Sequence, residues 1–262
     1  MVVGPVSIPV RRNPVRPSPI FVAVSAIAAV GGVLAWTAQS PASIAARVGV
    51  FVLVLAGWIV TVCLHEFGHA YTAYRAGDRE VELRGYLTLN PLKYSHPLLS
   101  VVLPIVFIAI GGIGLPGGAV YLRTGMFEPK VQRRIALAGP TANLVVAVIL
   151  LIVIRVFGMD GEHSAFWWGL SFLAFLQVMA TILNLLPVPG LDGYAAIEPY
   201  LSHDTRRALE NFKGYGILIL VAFLFVPQVN SAFFGAIYTV FGLSGVPEIY
   251  AQYGNYLMRF WL

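Results

Sequence analysis

Long uncharged apolar runs alternate with short polar segments along this chain, and that alternation fixes the elements. Ile20 to Ala38 forms the first run, and Val48 to Leu64 opens a second. Ile135 to Ile154 and Ala165 to Leu186 follow, each near the ~20 residues that cross a hydrocarbon core. Gly214 to Pro247 is 34 residues long, too much for one span, and Pro227, Gln228 and Asn230 predict a turn between two. Pro97 to Leu122 is also uncharged, but Pro104, Pro116 and five glycines break it. In lipid the backbone must satisfy itself, so the runs are helices. The pattern predicts an all-α polytopic membrane protein with about six transmembrane helices and a Pro/Gly-rich re-entrant segment.

Residues 1–19 are Pro-rich and read as a disordered N-terminal tail, 20–246 as a single integral-membrane domain, and 247–262 as a C-terminal tail. The basic flank of Ile20 to Ala38 and the small residues near Ser40 would suit a cleaved signal peptide. The run exceeds the usual apolar core of about 7–15 residues, which favours a retained span.

Loop charge sets the orientation. Arg11, Arg12 and Arg16 place the N-terminus in the cytoplasm, and the next loop carries only Arg47. Arg75, Arg79, Arg84 and Lys93 return to the cytoplasm, as do Lys130, Arg133 and Arg134. Both basic segments share one side if Pro97 to Leu122 dips in and comes back as a hairpin, which must then pack on protein or line a wet cavity. The loop with Asp160 and Glu162 has no Lys or Arg and reads as outside, whereas Arg206, Arg207 and Lys213 read as inside.

Composition agrees. The chain is 58% hydrophobic and 11% charged, against about 25% charged for soluble domains, so the surplus apolar surface faces lipid. Net charge is +5. No basic run exceeds two residues, so this excess belongs to cytoplasmic loops and not to a nucleic-acid surface. A single cysteine, Cys63, excludes an intrachain disulfide framework and reads as a buried thiol.

The chemistry sits at the end of the second run, in His65-Glu66-Phe67-Gly68-His69. On a helix, positions i and i+4 share a face, so both imidazoles converge on one metal, and Glu66 lies within reach of water there as a general base. Inside lipid such ionisable groups persist mainly where they have a function. Helix rise from Gly77, a helix C-terminus, puts His65 roughly 15–18 Å along the helix from that end. Catalytic zinc takes three protein ligands and keeps one open position. His163 falls on the outside loop and His203 beyond the fourth span. Asp192, in Asn184-Leu-Leu-Pro-Val-Pro-Gly-Leu-Asp192-Gly193, is the better third candidate, although a turn-forming Asp-Gly reads equally well from spacing alone.

The pairing of HEFGH with NLLPVPGLDG resembles the site-2 protease family of intramembrane zinc metalloproteases. The resemblance runs from about Val48 to Leu201 and includes GDREVELRGYLTLNPLKYSHPLL and LAGPTANL, similar to the compact bacterial branch. It implies one zinc per chain held by His65, His69 and Asp192, Glu66 as general base, and Asn184 steadying the substrate or the oxyanion. Asn143 matches a further recurring position, whose expected role is helix packing. The branch tends to read His-x-Asp-Pro where this chain has Tyr94-Ser95-His96-Pro97, so His96 is left out of the site as an interfacial histidine. The 262 residues leave no room for the PDZ or CBS modules common in the family.

The resemblance further implies a bacterial plasma-membrane enzyme acting on membrane-spanning substrates such as membrane-tethered regulators, with no nucleic-acid partner. A zinc transporter would want symmetric repeats and more ionisable pathway groups. A catalytically inactive relative that binds membrane helices would not need Glu66. A metalloprotease with glutamate as third ligand would draw on Glu198 or Glu210, neither in so constrained a context as Asp192.

Overall fold

The computed structural model describes residues 15–94, 124–216 and 225–261. The described residues are helical, without strands. Helix α1 is Pro19–Thr37, α2 is Ile44–Ala76, and α3 is the short Glu80–Leu83. Helix α4 is Pro129–Phe157 and α5 is Ser164–Asn184. The short α6 (Asp192–Ile197) and α7 (His203–Glu210) follow, then α8 (Pro227–Gly242) and α9 (Glu248–Met258). Four of these, α1, α2, α4 and α5, are long and apolar enough to cross a membrane.

Local chemistry sets the helix ends. Ser18 accepts from the Phe21 amide and Pro19 occupies the first turn, which starts α1. Ser43 caps α2 in the same way through the Ala46 amide. Gly77 ends α2 at φ +120°, a conformation that disfavours any side chain, and its N–H closes on Ala73 and Tyr74.

Four crossings alternate in direction. The Ser18 amide donates to Thr88 at 2.8 Å, so α1 begins at the end where α2 finishes. Contacts of His65 with Asn143 and of His69 with Ile135 set α4 antiparallel to α2. That end of the bundle carries Arg75, Arg79, Arg84, Lys93, Lys130, Arg133 and Arg134 and is called the basic end below. Both flanks of residues 95–123 lie there, so the chain leaves and returns on one side. The expected hairpin, Pro97 to Leu122, and His96 lie outside the described residues, as do residues 1–14 of the expected tail.

The run Gly214 to Pro247, expected to carry two spans, includes residues 217–224, which lie outside the described residues, and its described ends lie at opposite ends of the bundle. A Cβ on Gly216 would collide with the Pro189 carbonyl, just beyond the C-terminus of α5 at the basic end. Gly245 lies against Arg155, in the last turn of α4 at the opposite end. Residues 247–262 are no loose tail, because α9 buries Ala251, Gly254, Leu257 and Met258. Its aromatic residues reach earlier helices, with Trp168 beside Tyr253 at 4.6 Å and Phe51 beside Phe260 at 5.1 Å between ring centroids. The run was too short and too polar to register as a span.

Helix α5 is the axis of the bundle, with 83% of its apolar window buried. It runs parallel to α2 in a fixed register: Leu53 meets Gly169, Gly57 meets Leu173, and Thr61 meets Gln177. The next steps pair His65 with Thr181 and His69 with Leu185, which brings Asn184 to the level of the histidines. One core surrounds α5, from Trp58 and Leu176 to Phe241 and Met258. A second lies at the basic end, where Cys63, Ala70 and Ala73 of α2 pack on Val81, Tyr86, Leu87 and Tyr94. Cys63 is buried, as expected.

Helices α1 and α2 touch backbone to backbone. A Cβ on Gly49 would stand 2.6 Å from the Ala35 nitrogen and 2.9 Å from the Gly31 oxygen, and neither can yield. Gly49→Val should therefore cost about 1–3 kcal/mol through overpacking. Gly235→Ala in α8, where nothing lies within 4 Å of the added carbon, should be neutral or mildly stabilising. Thermal unfolding of both variants in one detergent checks the pair.

Candidate metal centre

Three side chains from two elements far apart in sequence meet at one point. His65 and His69 stand one turn apart on α2, and Asp192 opens α6 after the Pro187–Pro189 loop has turned the chain back. One carboxylate oxygen of Asp192 lies 3.2 Å from His65 Nε2 and the other 3.3 Å from His69 Nε2. The three potential ligand atoms fall within 4.8 Å of one another. The structure thus sets the Asp192 carboxylate against both imidazoles, in a group that could hold a metal ion.

The donor chemistry fits a cation. His65 Nδ1 lies 3.0 Å from Asn143 Oδ1, and His69 Nδ1 lies 2.7 Å from the Ile135 carbonyl. An oxygen acceptor at each Nδ1 fixes the N–H there and leaves the Nε2 lone pair free. Two imidazole lone pairs and a carboxylate then point inward with no donor among them, an arrangement a divalent metal satisfies. Zinc accepts this mixed set of nitrogen and oxygen ligands.

Space for the ion comes from Gly139. A Cβ there would stand 2.6 Å from His65 Nε2 and closer still to His69 Nε2, so any side chain would fill the centre. One turn along α2, Gly68 permits the matching approach, since its Cβ would lie 2.7 Å from the Ala138 carbonyl. Pro140 follows inside α4 and removes one donor from the helix ladder beside the site.

The remaining sequence candidates fall as follows. Glu66 is buried at 2% exposure, in the turn between the two imidazoles. Asn184 is buried at the last residue of α5. Glu198 and Glu210 are both engaged by Lys213, at 2.6 and 3.1 Å, and do not join the donor group. Those two carboxylates raise the Lys213 ammonium against the lowering effect of its burial. His163 instead stacks on Trp36 at 3.7 Å and contacts its carbonyl, and His203 is exposed. Asn143 departs from expectation: it orients a ligand histidine and is more than a packing residue. An amide in the middle of an apolar run was the available signal. Nothing in the sequence marked the Ile135 carbonyl.

Asn143→Ala should lower zinc affinity about 10–100-fold with the helices intact, since it frees the His65 ring to rotate. Gly139→Ala should abolish stoichiometric zinc by filling the centre. Metal analysis and competition with a calibrated chelator on the purified proteins read both outcomes.

Comparison with known proteins agrees with this site. The family model for peptidase family M50 matches residues 50–167. A provisionally named zinc metalloprotease, Rip2 of Mycolicibacterium smegmatis, is 55% identical over 250 residues, covering 95% of this chain and 96% of the relative. Rip2 of Mycobacterium tuberculosis is 52% identical over 251 residues, covering 96% of each. YwhC of Bacillus subtilis, named in the same provisional way, is 33% identical over 181 residues, covering 66% of this chain and 80% of its own. No solved structure is a significant match. With its apolar helices and its convergent two-histidine, one-carboxylate donor set, the chain belongs to peptidase family M50 and is an integral-membrane zinc metalloprotease.

Proposed function

We propose that this protease hydrolyses peptide bonds in or near the transmembrane segments of membrane-tethered proteins, as a step of regulated intramembrane proteolysis. The depth of the donor set carries this reading. Gly139, at the metal centre, is four residues inside the apolar run that begins at Ile135, about 6 Å along the helix. A scissile bond comes to that depth only within a chain that itself enters the bilayer. The last turns of α2 extend beyond this level into the basic-end core, so helix rise from Gly77 overstates the depth.

In this reading His65, His69 and Asp192 hold the zinc and Glu66 and Asn184 act on the substrate. When bound, zinc supplies Lewis acidity that activates water and polarises the scissile carbonyl. Glu66 takes the proton of the attacking water and passes it to the leaving amine. The Asn184 amide donates to the oxyanion that develops on the carbonyl oxygen. Asn143 and the Ile135 carbonyl keep both ligand rings in one tautomer throughout. A helical substrate hides its carbonyls in its own ladder, so it unwinds locally before cleavage, and helix-weakening residues are expected at the cut.

The membrane is taken to be a bacterial plasma membrane with the basic end, and hence the N-terminus, cytoplasmic. Membrane-tethered regulators are the expected substrate class. The alternatives, a zinc transporter and an inactive helix-binding relative, draw no support from a site that retains Glu66 beside a complete donor set.

Glu66→Gln should keep its zinc and lose cleavage of a model membrane substrate by several orders of magnitude. Asp192→Ala should lose zinc and activity together, while Glu198→Ala leaves zinc unchanged. Metal content and cleavage measured on the same preparations decide this, and full cleavage by Glu66→Gln removes that residue from the mechanism.

For topology, cysteines replacing Gly85 and Thr124 in a Cys63→Ser background should both react with an impermeant reagent only from the cytoplasmic side. Labelling of position 124 from outside would show a full crossing between them. The expectation of a hairpin at Pro97 to Leu122 would then have to be abandoned.

A further inference from the structure

Away from the metal centre, α4, α5 and α8 line an open apolar groove of about 390 Å³. Leu144, Val148 and Ile152 form one wall, Val178 and Val240 the other, and Arg155 closes one end. We propose that this groove binds one membrane phospholipid, with an acyl chain along α4 and the phosphate on the Arg155 guanidinium.

Two observations select this occupant. The first is length. Leu144 is midway through the uncharged run Ile135 to Ile154, and Arg155 is the first charge beyond it. Leu144 to Arg155 therefore spans about 16 Å of helix, close to half of a ~30 Å hydrocarbon core. The groove is one leaflet deep, with its cation at headgroup level.

The second is charge. No carboxylate lines the groove, and among the described residues Arg155 makes no ion pair or hydrogen bond. The turn between α8 and α9 runs beside it, where a Cβ on Gly245 would stand 3.3 Å from the Arg155 Nε. A guanidinium steadied in this way offers a fork of N–H donors that matches a phosphate. An arginine that merely reached for water would need no groove beneath it.

Native mass spectrometry of the full chain tests the proposal. The protein is presented with an equimolar mixture of phosphatidylglycerol and a glucosyl diacylglycerol of identical acyl chains, which lacks the phosphate. Wild type should retain one phospholipid per chain with about tenfold preference over the glycolipid. Arg155→Lys should keep most of that preference, Arg155→Gln should fall to parity, and Ile152→Trp should lose both lipids by filling the groove. Unchanged zinc content in each variant certifies the fold. Parity in wild type, an undiminished preference in Arg155→Gln, or full lipid retention in Ile152→Trp overturns the proposal. So does a dimer that Ile152→Trp dissociates, because a second copy would then be the occupant.

Discussion

Everything at the metal centre depends on how closely α2 and α4 approach. Gly68 on one helix and Gly139 on the other let the backbones come within a distance that no side chain would allow. That contact brings the Ile135 carbonyl and the Asn143 amide to the outer nitrogens of the two imidazoles. It also clears the volume into which the inner nitrogens point. Small residues at a membrane helix interface usually serve packing. Here the missing side chain is part of the ligand shell.

A second dependence runs through α5. Its parallel register on α2, fixed by Gly57 against Leu173 and by the 2.9 Å bond from Gln177 to Thr61, sets the height at which α5 ends. Asn184 closes that helix at the histidine level, and the proline-interrupted turn after it delivers Asp192 to the same point. Gly193 is confined there, since a Cβ would collide with the Leu185 and Leu186 carbonyls. A slip of one residue between α2 and α5 would move the third ligand away from the first two.

The sequence was most legible where physics acts locally. Helical spacing alone put His65 and His69 on one face, and apolar run length located α1 and α5 to within a few residues and the apolar middles of α2 and α4. Asp192 needed more than spacing, because its convergence on α2 is a tertiary fact, and the family resemblance supplied what periodicity could not. The Ile135 carbonyl was invisible, since every residue carries one and only the fold selects it. The burial of α9 was hidden for a related reason, because it buries its few residues against partners nearly the whole chain away.

That distance bears on biosynthesis. Arg47, in the first turn of α2, hydrogen-bonds the Tyr256 hydroxyl across 209 residues, and Phe51 packs on Phe260 and Trp261. The helix that carries both histidines is among the first segments made, and the residues that clasp its far end are among the last. Contacts this remote in sequence form late, after the intervening chain is ordered. The far end of the bundle therefore stays open until synthesis is finished and α9 has packed against α2 and α5.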